Sequence, residues 1–347
     1  MNKLERDGGA NGFSFNVITG ETISRIVNAN FDGCMAVVRD TYLAHADGGS
    51  VNPPSVFLRF GDKPTSRIIA LLAHLREPWR VSGIKWIASY PENVAQGIPR
   101  ASAVLILNDH DSGYPFACLE ASIVSAARTA ASAVLAARQL SAQGCRADTL
   151  GIIGTGLIAR YVYRFLLGTG WKIDNIRLYD LDPGMAHRFA DHVCDRERHL
   201  SVTVAPDIAS AMQQSDLILF TTVAGKPHVH DKALLRHNPL VLHLSLRDLA
   251  PQLLLDACNI VDDVDHVMHA DTSPHLAEQL TGGRDFVTGT LSDVIRGRCA
   301  ADRGRATIFS PFGLGVLDIA VGKWVFDQAV AARENSAIDG FFHDLER

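Results

Sequence analysis

The sequence predicts an α/β chain in two parts: a parallel sheet covered by helices on both faces, and an antiparallel-looking part before it. Three observations predict it. Uninterrupted apolar runs alternate with helical stretches from Leu150 onward, as strands buried on both faces require. Between Val56 and Leu107, β-branched and aromatic runs are separated by turns instead. At 154–159 a glycine turn joins the first apolar run to the first helix of the alternating region.

In the antiparallel-looking part, Ser66–Leu72, Gly83–Ala88 and Ser102–Leu107 are predicted strands, followed by an Asp-rich turn at 108–113. Leu119–Leu140 is a long Ala/Ser-rich helix with one internal arginine, Arg128. The alternating region then gives strands at Leu150–Ile153, Ile176–Tyr179, Leu200–Val204, Leu217–Val223, Leu240–Leu246 and Asn259–Asp262. Helices at Ile158–Leu167, Pro183–Cys194 and Ile208–Gln214 fall between them. From Ala306 to Ala332 comes a strand-like piece, a Gly-containing turn and a long apolar helix. That helix has no place in the alternating region and is returned to the N-terminal part, which becomes discontinuous.

The 347 residues are enough for two domains of ordinary size, and 47% hydrophobic residues supply their cores. A net charge of −5, with acids and bases scattered, argues against nucleic acid or an anionic membrane surface as partner. No apolar run reaches the roughly 18 residues of a membrane span. Residues 1–14 read as a disordered polar tail without the apolar stretch of a secretory signal. Six widely spaced cysteines with no C-x-x-C suggest reduced thiols in a cytoplasmic protein. The histidines, His228, His230, His243, His266, His269 and His275 among them, show no metal-ligand spacing, and they are read as structural or solvent-facing.

Gly154-Thr155-Gly156-Leu157-Ile158-Ala159 is a G-x-G-x-x-A between strand and helix. Gly154 permits the tight turn, Gly156 lets a pyrophosphate approach the backbone, and Ala159 lets helix and sheet pack closely. The helix N-terminus offers unpaired N–H groups to the anion. Asp180 ends the next strand, where a carboxylate accepts hydrogen bonds from ribose hydroxyls and repels a 2′-phosphate. The cofactor expected is therefore NAD rather than NADP. Thr222 and Ser245, in the runs 217–223 and 240–246, are counted with Thr155, Leu157 and Ile158 among its contacts.

Ligands of such sheets bind outside the C-terminal strand ends, and Ser245-Leu246-Arg247-Asp248 lies at one. Asp248 is either an acid/base or a carboxylate capping a helix or loop. Lys85, between Ile84 and Trp86, and Arg128, among alanines, are charges inside apolar elements. A buried cation needs an anionic partner, and a substrate carboxylate would be one. The alternative is a lysine and an arginine on solvated faces.

On these residues the chain resembles the ornithine cyclodeaminase/mu-crystallin family, from about Val51 to the region of Val330. The resemblance is carried by Gly83-Ile84-Lys85-Trp86, Arg128-Thr129-Ala130-Ala131-Ser132, the Gly154–Ala159 fingerprint and Phe309–Asp318. It implies that Lys85 and Arg128 hold a substrate carboxylate, with Lys85 also in the catalytic set, and that Asp248 is the catalytic carboxylate. It also implies a dimer through the N-terminal domain.

Two departures stand out. Asn52-Pro53-Pro54 leads to Ser55 where members often carry an arginine, and Arg59 is the nearest replacement. The loop reads His243-Leu244-Ser245-Leu246-Arg247-Asp248-Leu249 in place of N-A-V-G-x-D. With Gly97–Ser102 and Thr272–Glu278, that loop is similar to the branch of the family that makes 2,3-diaminopropionate for siderophores. This implies a small-molecule amino-acid conjugate as substrate, N-(2-amino-2-carboxyethyl)-L-glutamate, cleaved to 2-oxoglutarate and 2,3-diaminopropionate. Its three carboxylates call for further cations, and Arg100, Arg247 and Arg59 are nominated. The alternatives are a cyclodeaminase, ketimine reductase or alanine dehydrogenase of the same family, or a non-catalytic binding protein of the mu-crystallin kind. The expected fold is thus α/β: a Rossmann NAD-binding domain over 146–311, with a discontinuous α+β domain for substrate binding and dimerisation over 15–145 and 312–347.

Overall fold

The computed structural model describes residues 13–343. Of the tail expected over 1–14, residues 1–12 lie outside the described residues, and the Phe13 ring stacks on Tyr114 with centroids 3.9 Å apart. By its internal contacts the chain divides into two units, one running up to Arg128 and resuming at Gly315, the other Thr129–Leu314. The first division falls inside a continuous helix, not at 145/146, and the second falls at 314/315, not at 311/312.

The first unit opens with β1 (Phe15–Ile18), α1 (Gly20–Ala29) and α2 (Phe31–Ala46). Thr19 and Asn30 cap the two helices, accepting from Thr22 N at 3.3 Å and Gly33 N at 2.8 Å. Then come β2 (Ser50–Val51), β3 (Val56–Arg59), β4 (Arg67–Leu75), β5 (Val81–Ser89), β6 (Ala101–Asp109) and β7 (Pro115–Glu120). Strands β4 to β7 pair antiparallel in sequence order, β1 adds parallel to β7, and β2 and β3 both pair with β4. Helix α3 (Ala121–Leu140) follows. The sequence placed its start at Leu119, but the strand continues through Glu120. The Glu120 carboxylate then caps the helix, accepting from Ser122 N at 2.8 Å and Ile123 N at 3.0 Å.

The second unit alternates β8 (Arg146–Ile153), α4 (Leu157–Gly168), β9 (Lys172–Tyr179), α5 (Pro183–His192), β10 (Ser201–Val204), α6 (Ile208–Met212) and β11 (Leu217–Phe220). It continues with β12 (Leu240–His243), α7 (Pro251–Leu255), β13 (Cys258–Val261), α8 (Val264–Val267), α9 (Ser273–Thr281), β14 (Val287–Thr290), α10 (Leu291–Ile295) and β15 (Thr307–Ser310). All eight strands are parallel, in the order β10-β9-β8-β11-β12-β15-β13-β14. The inner strands β11, β12, β13 and β15 are buried at every residue, which is why their sequences are continuous apolar runs. Strand order reverses between β8 and β11, so the ligand crevice of this sheet opens at their C-terminal ends.

Helix α11 (Gly315–Ala331) returns to the first unit and packs on β4, β5 and β6 and on α1 and α2. Gly322 allows the close approach, because a Cβ there would lie 2.1 Å from Leu105 Cδ2. Strand β16 (Ser336–Ile338) closes the first sheet antiparallel to β1.

Candidate active site

In the first unit, Lys85 on β5 is buried among apolar neighbours. Its Nζ donates to Asp318 Oδ2 of α11 at 2.7 Å and to Ser125 Oγ of α3 at 3.1 Å. Arg128 Nε donates to the other oxygen of the same carboxylate at 3.1 Å. The sequence assigned no anionic partner within the chain to these cations. Asp318 is that partner, at the end of the matching stretch Phe309–Asp318. Two cations on one carboxylate leave a net charge of +1, so the cluster remains suited to one further anion. Burial pushes the Lys85 ammonium down from 10.5 to about 8, and Arg128 adds to that while Asp318 opposes it. Burial would raise the Asp318 carboxyl, but Arg128 and Lys85 outweigh it and hold it below the usual range.

The additional arginines are placed differently. Arg100, just before β6, is half-buried and donates to Ser89 Oγ at 2.7 Å. Burial and the nearby Arg67 push its pKa down, as for a cation with too little counter-charge. Arg59 is exposed at the end of β3, with its guanidinium over the Phe57 ring at 5.2 Å. Asn52 is not a stand-in for a cation. Its Oδ1 accepts from Val316 N at 3.1 Å, in the first turn of α11.

In the second unit, Gly154 has φ +86°, and a Cβ there would meet Thr221 and Thr222 backbone at 2.9–3.0 Å. Only glycine fits. Gly156 faces open space, and no side chain caps the first turn of α4, so the N–H groups there are left for an anion. Asp180 follows β9 and accepts from Thr155 N at 2.8 Å and Thr155 Oγ1 at 3.0 Å, tying the turn to the carboxylate. Glycine cradle, uncapped helix start and strand-end carboxylate together fit a dinucleotide.

Asp248 is buried, and four side chains surround its carboxylate. Oδ1 accepts from Thr222 Oγ1 at 2.5 Å and contacts His228 Nε2 at 3.0 Å. Oδ2 accepts from Ser245 Oγ and lies 3.4 Å from His243 Nε2. Burial alone would raise the carboxyl, but the His243 ring and the Ser245 and Thr222 hydroxyls outweigh it and hold it well below the usual carboxylate range. Thr222 and Ser245, expected at the cofactor, direct their hydroxyl protons to Asp248.

The strand expected to run to Leu246 stops at His243. Leu246 takes φ +76°, a left-handed turn that folds the loop back, so Asp248 N donates to His243 Nε2 at 3.1 Å. The Thr272–Glu278 motif braces this loop: Ser273 N donates to Leu246 O at 2.8 Å and its Oγ to Leu249 O at 2.6 Å. Arg247 is held outside, donating from Nε to Ala270 O at 3.0 Å. His228 and His243, read as structural or solvent-facing, both touch the candidate carboxylate. Residues 20 and 5 positions from Asp248 are joined to it only by the fold.

Known proteins share this fold and much of this chain's length. An alanine dehydrogenase of Archaeoglobus fulgidus is 28% identical over 94% of this chain and 98% of its own. An N-((2S)-2-amino-2-carboxyethyl)-L-glutamate dehydrogenase of Staphylococcus aureus is 27% identical over 82% of this chain and 87% of its own. Among solved structures, an archaeal alanine dehydrogenase dimer with bound NAD superposes with a TM-score of 0.84 at 26% identity, covering 95% of this chain and all of that one. The fold is also that of Thermococcus litoralis Δ(1)-pyrroline-2-carboxylate reductase, with a TM-score of 0.85, 19% identity, and coverage of 93% of this chain and 100% of that one. The family model for the ornithine cyclodeaminase/mu-crystallin family matches residues 21–333, and the chain belongs to that family.

Proposed function

We propose that the chain is an NAD-dependent oxidoreductase acting on a CH–NH bond, and that its substrate is N-(2-amino-2-carboxyethyl)-L-glutamate. One observation carries the reading of oxidation coupled to proton removal. The buried carboxylate of Asp248 is bonded to Thr222, whose backbone lies against Gly154 of the dinucleotide turn. A proton acceptor therefore stands at the mouth of the crevice where the switch in strand order puts a nicotinamide.

Bound NAD supplies the hydride acceptor. The chain's own residues do the rest. Gly154, Gly156 and the first turn of α4 cradle the pyrophosphate, and Asp180 takes the ribose hydroxyls and disfavours a 2′-phosphate. Lys85 and Arg128, with one positive charge in excess over Asp318, hold a substrate carboxylate. Asp248 takes the proton of the substrate amine as the glutamyl Cα loses hydride. Water adds to the resulting C=N bond, and the adduct collapses to 2-oxoglutarate and 2,3-diaminopropionate, a siderophore precursor.

The choice of conjugate rests on three matching stretches of sequence, on the Staphylococcus aureus relative, and on Arg100. A half-buried arginine on a neutral serine suits an extra carboxylate, which alanine lacks. Arg247, held on Ala270 O, and Arg59, exposed on β3, are the remaining candidates and are secondary. Alanine dehydrogenase is the second reading, favoured by 28% identity over 94% of the chain. The six cysteines are all free, as suits a cytoplasmic enzyme. Leu72, Trp86 and Val104 stand 42–43% exposed on one face of the first sheet, which suits a homodimer. The deciding experiment incubates the protein with the conjugate or with L-alanine, each with NAD⁺. NADH together with 2-oxoglutarate and 2,3-diaminopropionate from the conjugate is expected. NADH from alanine alone would establish the second reading.

A further inference from the structure

Oxidative cleavage of the conjugate leaves a proton over. The protonated secondary amine, NAD⁺ and water give 2-oxoglutarate, the protonated primary amine of diaminopropionate, NADH and one H⁺. The C–H bond breaks with its electron pair going to NAD⁺, the carbonyl oxygen comes from water, and one proton per turnover must reach solvent. Asp248, which would take it, has a fully buried side chain. Its carboxyl is also held below the usual range, so it does not keep a proton.

Of the four side chains around the carboxylate, two are ionisable. His243 is a dead end, with a wholly buried ring whose Nε2 accepts the Asp248 amide and whose Nδ1 contacts Ser310 Oγ at 3.2 Å. His228 is not. Its Nε2 lies 3.0 Å from Asp248 Oδ1 while a third of its side chain, 33%, is exposed. The ring is also positioned, not adrift on a loop. His228 N and Val229 N donate to Asp248 O at 3.0 and 2.9 Å, and Val229 bridges to Leu249. Two main-chain bonds thus lock the His228 segment to the backbone of the residue whose carboxylate it touches.

We infer that His228 is the proton relay between Asp248 and solvent, a role that rests on the oxidoreductase reading above. In the tautomer with its proton on Nδ1, the ring accepts from Asp248 at Nε2 and releases the Nδ1 proton to water on its exposed edge. Asp248 is thereby returned to the carboxylate for the next turnover.

The test compares wild type with His228→Gln and His228→Ala in dilute buffer, using the conjugate, NAD⁺ and added imidazole. In both variants kcat should fall about tenfold or more. Imidazole should restore it in proportion to its concentration, most fully in His228→Ala, where the ring's space is vacated. The isotope effect of deuterium at the glutamyl Cα should shrink, because proton exit becomes limiting. Retained NADH fluorescence enhancement shows that the variants fold. Independently of turnover, the ring nitrogen resonances of His228 should move in Asp248→Asn, and unmoved resonances would overturn the contact. Wild-type rates in the variants, or a loss that imidazole does not relieve, overturn the relay while leaving the substrate reading intact. If wild type oxidises L-alanine or L-proline and not the conjugate, the substrate reading falls and the same comparison is made with that amino acid. No turnover of any of the three overturns the redox reading and the relay together.

Discussion

Two buried carboxylates, one in each unit, have opposite surroundings. Asp318 is gripped by two full cations, Lys85 at 2.7 Å and Arg128 at 3.1 Å. Asp248 is held by two hydroxyls and two imidazoles. Burial pushes both carboxyls up, yet both sit below their ordinary range: Arg128 and Lys85 outweigh it at Asp318, and the His243 ring with the Ser245 and Thr222 hydroxyls at Asp248. The difference teaches which of them can work as a base. At neutral pH a carboxylate clamped between two cations stays an anion and fixes the cations in place. A carboxylate whose partners are themselves donors and acceptors can take a proton and pass it on.

The largest expected effect is on the clamped one. Asp318→Asn leaves Lys85 and Arg128 without counter-charge in an apolar setting, and breaking a buried pair of this kind costs about 3–5 kcal/mol. Chemical denaturation at neutral pH should show that loss. Because the folded Asp318 is more acidic than the unfolded one, its contribution is present at neutral pH and disappears as pH falls through the folded value. Next come the cations themselves. A charge-assisted bond to a carboxylate is worth about 1.5–3 kcal/mol, so Arg128→Ala should raise KM about tenfold or more. Unchanged kinetics in a folded Arg128→Ala would leave Arg128 as a partner of Asp318 alone.

A smaller effect sharpens the comparison further. Lys85 loses its proton as pH rises through about 8, so KM should climb above that pH. Lys85→Arg should flatten the climb, because a guanidinium stays charged. The same lowered value means that the unfolded lysine binds its proton more tightly than the folded one. Its burial cost is therefore relieved as pH rises from about 8 toward 10.5. The mildest change expected is in cofactor choice: Asp180→Ser should reduce the preference for NAD⁺ over NADP⁺ in parallel titrations, with the fold intact.

What the sequence made legible was whatever depends on neighbours in the chain. The glycine turn, the buried parallel strands and the oddity of Lys85 and Arg128 within apolar elements are all local patterns. What it hid was pairing at a distance. Asp318 lies 190 residues from Arg128 and 233 from Lys85, and nothing nearby in the sequence marks it as their partner. The shell of Asp248 is assembled from the segment after β11 and from the end of β12 and the loop beyond it, and the largely apolar run 240–246 conceals the left-handed turn at Leu246 that folds the loop back. His228 looked like one histidine among many for the same reason. The expected strands overran their ends at Val223 and Asp262, where the ladders stop at Phe220 and Val261.

The most direct measurement is the turnover of Asp248→Asn with the conjugate and NAD⁺, beside its affinity for NADH. The substitution preserves shape and removes the proton acceptor. A fall in kcat of about 10² or more is expected, with NADH binding, followed by fluorescence, within a few-fold of wild type. Turnover near the wild-type rate would contradict it, leaving Asp248 as a structural carboxylate like Asp318 and making His243 the next residue to test as the base.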